Sequence, residues 1–356
     1  MPEQPKRRPT LDEVARLAGV SRAAASRVIN RSGHASRATT EAVERAVREL
    51  DYVPNPSARA LATQRSGAVV LAVSHHDPEL FADPFYAQII VGVSAALERT
   101  DLVLMLVLAD SEHGRARLER TLRSRRADGV MLMALHGDDP LYHLAGKLDL
   151  PVVYGGRPLG TEPAWYVDAD NRGGARMAAE HLVGLGRRRI GTITGQIDTD
   201  VGTARLRGFH DALAVAQLDG SLVEQSDFTE AGGARAMARL LDAHPDLDAV
   251  FAASDNMAAG ALRTLKAAGR SVPEDVAVAG FDDHLIARHT DPPLTTVRQP
   301  IQQLGREMAK MLLSLIDGEQ PSPLILPTRL IVRESTEPQL PTSPTIDSTA
   351  RPAAEA

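Results

Sequence analysis

Residues 21 to 30, SRAAASRVIN, are the first in the chain whose types and spacing suit a definite chemistry. On a helix, Arg22, Ala23, Ser26, Arg27 and Asn30 fall on one side, and Ala24, Ala25, Val28 and Ile29 on the other. Guanidinium, hydroxyl and amide groups on one stripe can address phosphates and base edges. Arginine grips guanine through two hydrogen bonds, whereas Ala23 can at most touch a thymine methyl. Taken alone, the segment reads equally as an amphipathic helix with a solvated face. Its surroundings decide.

Those surroundings predict a frame for it. Thr10-Leu11-Asp12-Glu13 is a capping box, and Leu11, Val14, Ala15 and Ala18 recur at helical spacing behind it. Ala18-Gly19-Val20 signals a tight turn, and Ser21 caps the second helix. After Gly33 the pattern restarts at Ser36, with Val43, Ala46, Val47 and Leu50 as the apolar stripe of a third helix. Two short helices across a turn, closed by a third, predict a helix-turn-helix whose second helix enters the major groove. Beyond it, NPSARALATQ at 55–64 starts with a good N-cap, Asn55, and with Pro56 at the first helical position. A helix that short cannot stand alone, so it is expected to order only against a partner.

Composition agrees. Residues 1–65 hold 12 Lys/Arg against 7 Asp/Glu, while the remainder of this chain of net charge −6 holds 28 against 39. A basic head on an acidic body suggests that the head meets a polyanion. At 356 residues the chain calls for two or three domains. Cysteine is absent, which excludes disulfides and thiolate metal sites and is compatible with a reducing compartment. No apolar segment follows the basic MPEQPKRRPT, so no secretory signal is expected, and LVLMLVLA at 102–109 is far too short to span a membrane. The expected location is cytoplasmic, with no membrane partner.

Residues 9–65 resemble the DNA-binding head and hinge of the LacI (lactose/purine repressor) family. The resemblance implies base contacts from Arg22, Ala23, Arg27 and His34, with Leu61 wedged into the minor groove. It implies phosphate contacts from Thr10, Ser21, Ser26, Asn30, Ser36 and Asn55. Where the family has Thr-Val this chain has Ala24-Ala25, so looser packing of the second helix is expected.

From residue 68, apolar runs of five to eight residues alternate with helical patterns, as in parallel strands buried on both faces. A first series runs AVVLAVS, LVLMLVLA, GVMLMAL and PVVYGG; a second begins at WYVDADN and continues through RIGTITG, AVFAAS, DVAVAGFDD and TTVRQP. About ten strands exceed one comfortable sheet, so two doubly wound lobes are expected, with ligands beyond the strands' carboxyl ends. The turns there contain no GxSxG, no HExxH and no phosphate-cradling loop. The pair His75-His76 could suggest a metal but lacks a third ligand at useful spacing and reads as a solvated loop pair; with those motifs missing, no cofactor or enzymatic activity is expected. What the turns offer is carboxylates, an arginine and isolated aromatics, which suit a hydroxyl-rich ligand.

Over 68–336 the resemblance continues and implies a periplasmic-binding-protein-like core with a small-sugar effector in its cleft. It implies effector contacts from Arg205, Ser254, Asp255 and Asp282, with Phe228 as a stacking ring and Phe85 or Tyr86 from the other lobe. The plain alternative for each aromatic is a core position, and for Arg205 an inter-helix salt bridge. Gly156 replaces a carboxylate common in the family. ELFADPFY and YGGRPLG together look most like actinobacterial cellobiose-type sugar-responsive repressors.

The expected organisation is an all-α head (1–54), a hinge helix (55–65), a two-lobed α/β core (66–336) and a disordered Pro/Thr/Ala-rich tail (337–356) without the leucine heptads of a tetramerising segment. The expected activity is transcriptional regulation, with a homodimer on palindromic double-stranded operator DNA released by the sugar. A sugar-transport protein would need a signal peptide and no head. A sugar-processing enzyme would need turnover chemistry in the turns.

Overall fold

The computed structural model describes residues 9–30, 34–53, 65–74, 84–109, 111–133, 136–137, 139–160 and 163–337. Asn55, Leu61, the rest of segment 55–64 and the tail beyond Glu337 lie outside the described residues.

The head is three helices: α1 (Leu11–Ala18), α2 (Arg22–Ile29) and α3 (Arg37–Glu49). The capping box of α1 is formed, with Glu13 Oε2 accepting from Thr10 N (2.7 Å) and Thr10 Oγ1 accepting from Glu13 N (3.3 Å). Gly19 ends α1 at φ 66°, where an L side chain would be strained. Val14, Ala15, Ala25, Val43 and Ala46 form the buried core of the head. Ala25 is fully buried, so its small side chain lets α2 sit close on α1 and α3.

The body contains two six-stranded sheets. The first has the order β11-β5-β4-β3-β1-β2, with β1 at Ala68–Val73, β2 at Val103–Leu108, β3 at Val130–Met133, β4 at Val152–Gly155, β5 at Tyr166–Ala169 and β11 at Leu324–Leu326. The second has the order β12-β10-β9-β8-β6-β7, with β6 at Ile190–Thr194, β7 at Val223–Gln225, β8 at Ala249–Ala252, β9 at Ala277–Asp282, β10 at Thr295–Arg298 and β12 at Arg329–Ile331. All pairings are parallel except β10 with β12.

Helices α4 (Pro84–Leu97), α5 (Glu112–Arg123) and α6 (Pro140–Ala145) cover the first sheet, and α7 (Asn171–Gly184), α8 (Asp200–Val215), α9 (Glu230–Ala243) and α10 (Asp255–Ala267) the second. Each sheet has a buried apolar layer on both faces, which is why its strands read as unbroken runs of Val, Leu, Ile and Ala.

Two assignments differ from the sequence pattern. WYVDADN, expected to open the second series, supplies β5 of the first sheet, paired with β4 and β11. The last helix, α11 (Ile301–Ile316), follows a strand of the second sheet yet packs back on α4 of the first lobe. Gly92 and Gly305 permit that return. A Cβ at 92 would fall 2.0 Å from Gln302 O, and one at 305 would fall 2.3 Å from Ile89 O. The chain therefore crosses between lobes three times, after β5, after β10 and between β11 and β12.

Candidate functional site

In the head, Arg22, Ala23 and Arg27 are exposed on α2, and His34 is exposed in the following loop. Ser26 and Asn30 are half-buried and joined, Asn30 Nδ2 donating to Ser26 Oγ (3.1 Å). Arg22 Nε lies 3.5 Å from Asp12, an exposed pair worth little and easily given up. Thr10, Ser21 and Ser36 are the N-caps of the three helices, accepting from Glu13 N, Ala24 N and Thr39 N. Each cap satisfies one N–H of its helix's first turn, and the positive end of a helix dipole lies beside it.

The second site is a cleft of about 770 Å³ between the lobes, at the carboxyl ends of both sheets. From the first lobe come Phe85, Tyr86, His136, Gly156, Arg157 and Asp168; from the second, Gln196, Thr199, Asp200, Arg205 and Phe228; from the crossings, Asn171 and Gln299. A chain of polar contacts runs along its floor. Arg157 Nε is 3.3 Å from Asp168 Oδ2, whose other oxygen accepts from Asn171 Nδ2 (3.0 Å). Asn171 Oδ1 accepts from Arg205 Nε (2.9 Å), and Arg205 Nη2 lies 3.3 Å from Asp282 Oδ1. Asp282 Oδ1 also accepts from Gln299 Nε2 (2.6 Å). The chain thus begins in the first lobe, crosses at Asn171 and ends on the second crossing at Gln299.

Burial conditions several of its charges. Burial pushes the Asp168 carboxyl up to about 6, against the pull of Arg157 and the Ala169 N–H. Burial likewise raises Asp200, opposed by Arg157 and Arg207. Arg205 is 4% exposed; burial lowers its pKa while Asp282, Asp168 and Asp255 hold it up. Its guanidinium lies 3.7 Å from the centre of the Phe281 ring, and Nη1 donates to Ala253 O (2.5 Å). Arg205 is therefore both a buried ion pair and a cleft-lining group.

The sequence-derived residues divide. Phe85, Tyr86, Arg205 and Phe228 line the cleft, and Asp282 stands directly behind Arg205. Ser254 and Asp255 are not among the lining residues. Ser254 caps α10 by accepting from Met257 N (3.3 Å), and the fully buried Asp255 accepts from Thr296 Oγ1 and His284 N. Gln196, Asn171, Gln299, Arg157, Asp168 and Asp200 are cleft residues that sequence reasoning missed. No local motif marks them; Arg157, Asn171, Gln196 and Gln299 sit one or two residues past strand ends, while Asp168 lies within β5 and Asp200 opens α8. Among the described residues no group of metal-ligating side chains occurs, and no helix is long and apolar enough to cross a membrane.

A helix-turn-helix head joined to two doubly wound lobes around a polar cleft defines a ligand-responsive DNA-binding regulator. Residues 10–55 match the family model for bacterial regulatory proteins of the lacI family, and 179–336 match that of the periplasmic binding protein-like domain. The HTH-type transcriptional regulator CelR of Thermobifida fusca is 50% identical over 336 residues, 93% of this chain and 99% of that protein. GalR of Escherichia coli is 35% identical, covering 87% of this chain and 90% of GalR. Among solved structures, a CelR–cellobiose complex superposes with a TM-score of 0.74 at 48% identity, over 92% of this chain and all of that one. The lac repressor dimer bound to operator and the anti-inducer ONPF superposes at 0.81 with 28% identity, over 93% and 99% of the two chains. The chain belongs to the LacI family and is a transcriptional regulator, not an enzyme.

Proposed function

We propose that this regulator is a cytoplasmic repressor of sugar-utilisation genes that leaves a palindromic operator when a neutral disaccharide such as cellobiose fills the cleft. The observation that carries this reading is the pairing of the cleft's two arginines. Arg157 faces Asp168 and Asp200, and Arg205 faces Asp282, so neither cation is left for a phosphate or carboxylate on the ligand. The rings of Phe85, Tyr86 and Phe228 line the same space, flat apolar faces of the kind that pack against sugar rings. The likeness to a structure described as a CelR–cellobiose complex supports the disaccharide. Ser21, Ser36 and Thr10 would then hold phosphates, and Arg22, Ala23, Arg27 and His34 would meet bases. A homodimer fits the exposed apolar side chains of the first lobe, Val103, Leu106 and Leu108 on the edge strand β2 and Val91 on α4.

Thermal unfolding against a panel of mono- and disaccharides and their phosphates is the test. A ligand that binds only the native state raises the midpoint by mass action. A shift with cellobiose and none with its phosphate is expected, with operator release at the same concentrations. Stabilisation by a sugar phosphate alone would sink the reading.

A further inference from the structure

The first lobe carries a positive surface at the end opposite the cleft. Residues 115–126 contain six arginines and a single acid, Glu119. Gly114, Leu118 and Leu122 turn inward on α5, which leaves Arg117, Arg120 and Arg123 exposed on the helix and Arg125 and Arg126 exposed in the turn after it. Arg123 is held by Glu119 (2.7 Å), whereas Arg117, nearer the start of α5, reaches back to Leu108 O (3.5 Å) at the carboxyl end of β2 and lies outside that surface. Arg120, Arg125, Arg126 and the exposed Lys147 have neither an ion pair nor a side-chain hydrogen bond among the described residues. Beside them runs an open groove of about 1210 Å³, lined by Arg65, Arg123, Arg125 and Lys147 with Asp128 and Asp149.

Topology fixes which way this surface faces. β1, β3 and β4 are parallel, so the segments leading into them, at 65–67, 124–129 and 146–151, gather at one end of the lobe. Asp128 ties them together by accepting from Ser66 N (2.6 Å) and Gly67 N (2.9 Å). Arg65 is bound there too, donating to Ile316 O and Asp317, each at 3.0 Å. The head's described residues end at Val53, so residues 54–64 are all that separates it from this end. A connection of that length reaches roughly 40 Å at most, so this end of the lobe stays within about one turn of B-DNA of the head.

We propose that this arginine surface contacts the phosphate backbone of DNA flanking the operator. It sits on a body with a net excess of acid, so the positive charge is local, and it lies at the tethered end, where a polyanion is held by the head. Its contribution is sequence-independent and needs flanks long enough to reach it.

The test is made on the full-length protein, with an operator selected by that protein from a random duplex pool. Binding is measured against salt on a minimal duplex and on one extended by about one helical turn on each side. The comparison is wild type against a protein with Arg120→Gln, Arg125→Gln and Arg126→Gln, its unfolding midpoint checked for integrity. Wild type should bind the extended duplex more tightly, with a steeper salt dependence. The triple variant should lose that gain, its log–log slope on the long duplex flattening by about 0.9 per lost phosphate contact, and keep wild-type affinity on the short one. A variant that retains the full gain from flanks overturns the proposal, as does a wild type indifferent to flank length, which would turn the surface toward an acidic protein instead. Failure of the head to select any operator would be seen separately, on the minimal duplex.

Discussion

Phe228 lies with its ring directly on the backbone of Gly195: a Cβ at 195 would fall 1.8 Å from the ring's Cζ. Phe228 itself adopts φ 65°, a left-handed conformation that a bulky residue rarely takes without a surrounding structure to hold it. Asp282, at the end of β9, is held at φ 112°. A cleft-lining ring and the carboxylate behind Arg205, both at unfavourable backbone angles, indicate that the site is built for position at some cost to stability.

Phe228→Ala should therefore lower affinity for the disaccharide by about 1.5–2 kcal/mol, roughly tenfold to thirtyfold, as a stacking face is lost. Gly195→Ala should act in the same direction by pushing the ring off its seat. Both should keep operator affinity. Calorimetric titration with cellobiose measures the first effect and band-shift titration the second; unchanged sugar affinity in both variants would remove the ring from the site.

Arg157 joins the lobes, its Nη2 3.5 Å from Asp200 at the start of α8 while Nε faces Asp168 in its own lobe. The guanidinium side chain is 28% exposed, so the tie is partly screened and worth on the order of 0.5–1.5 kcal/mol. Arg157→Gln should loosen lobe closure, visible as a larger radius of gyration in solution scattering without ligand, and weaken sugar binding. Identical scattering and affinity would show that closure does not depend on this residue.

Asp168 gives a pH signature. Its carboxyl moves from 3.8 to about 6 on folding because it is buried. The folded chain then holds a proton through a window where the unfolded chain has released it. The group is without cost below the unfolded value, and stability falls as pH rises toward 6. Asp168→Asn removes that slope, so variant minus wild-type stability should climb by on the order of 2–3 kcal/mol between pH 4 and pH 6.5. Urea denaturation across that range reads it directly; a pH-independent difference would contradict the burial argument.

On the head, Arg22→Ala should cost about 1–3 kcal/mol on the preferred operator and relax preference at one base pair. Ser21→Ala should weaken all duplexes together, and because Ser21 Oγ caps α2 by accepting from Ala24 N (3.2 Å) it should also destabilise the head by about 1 kcal/mol. Matched and single-mismatch duplexes separate the two; an Arg22 variant with unaltered preference would withdraw that residue from base recognition.

Much of this was legible because it is local. Thr10, Ser21 and Ser36 announce helix starts by their own hydroxyls, and runs such as Val69–Val73 announce buried strands by composition. The strands β7, β11 and β12 were not legible, since three residues carry no period. Nor was the destination of α11 and β11, which is decided by packing against residues far back in the chain. Arg205 stood out by its segment. Its partner Asn171 begins an ordinary-looking helix, and Asp168 is one carboxylate among many until the fold buries it.

The three crossings between the lobes have a mechanical consequence. Asp170 N donates to Leu326 O (2.9 Å) and Thr328 Oγ1 donates to Asp170 O (3.3 Å), so the first and third crossings are stitched side by side, while Gln299 ties the second to Asp282. Two stiff bodies joined by three short links cannot drift apart; what remains free is a turn about the links. The first lobe is then a lever pivoted at the cleft, with Arg65 at the tip of its arm. A turn of about 5° moves a point roughly 20 Å away, the length of a six-residue strand such as β1, by about 2 Å. Such a step at the two tethers of a dimer is small for the sugar to cause and large for a pair of heads that must keep register with the helical repeat of DNA.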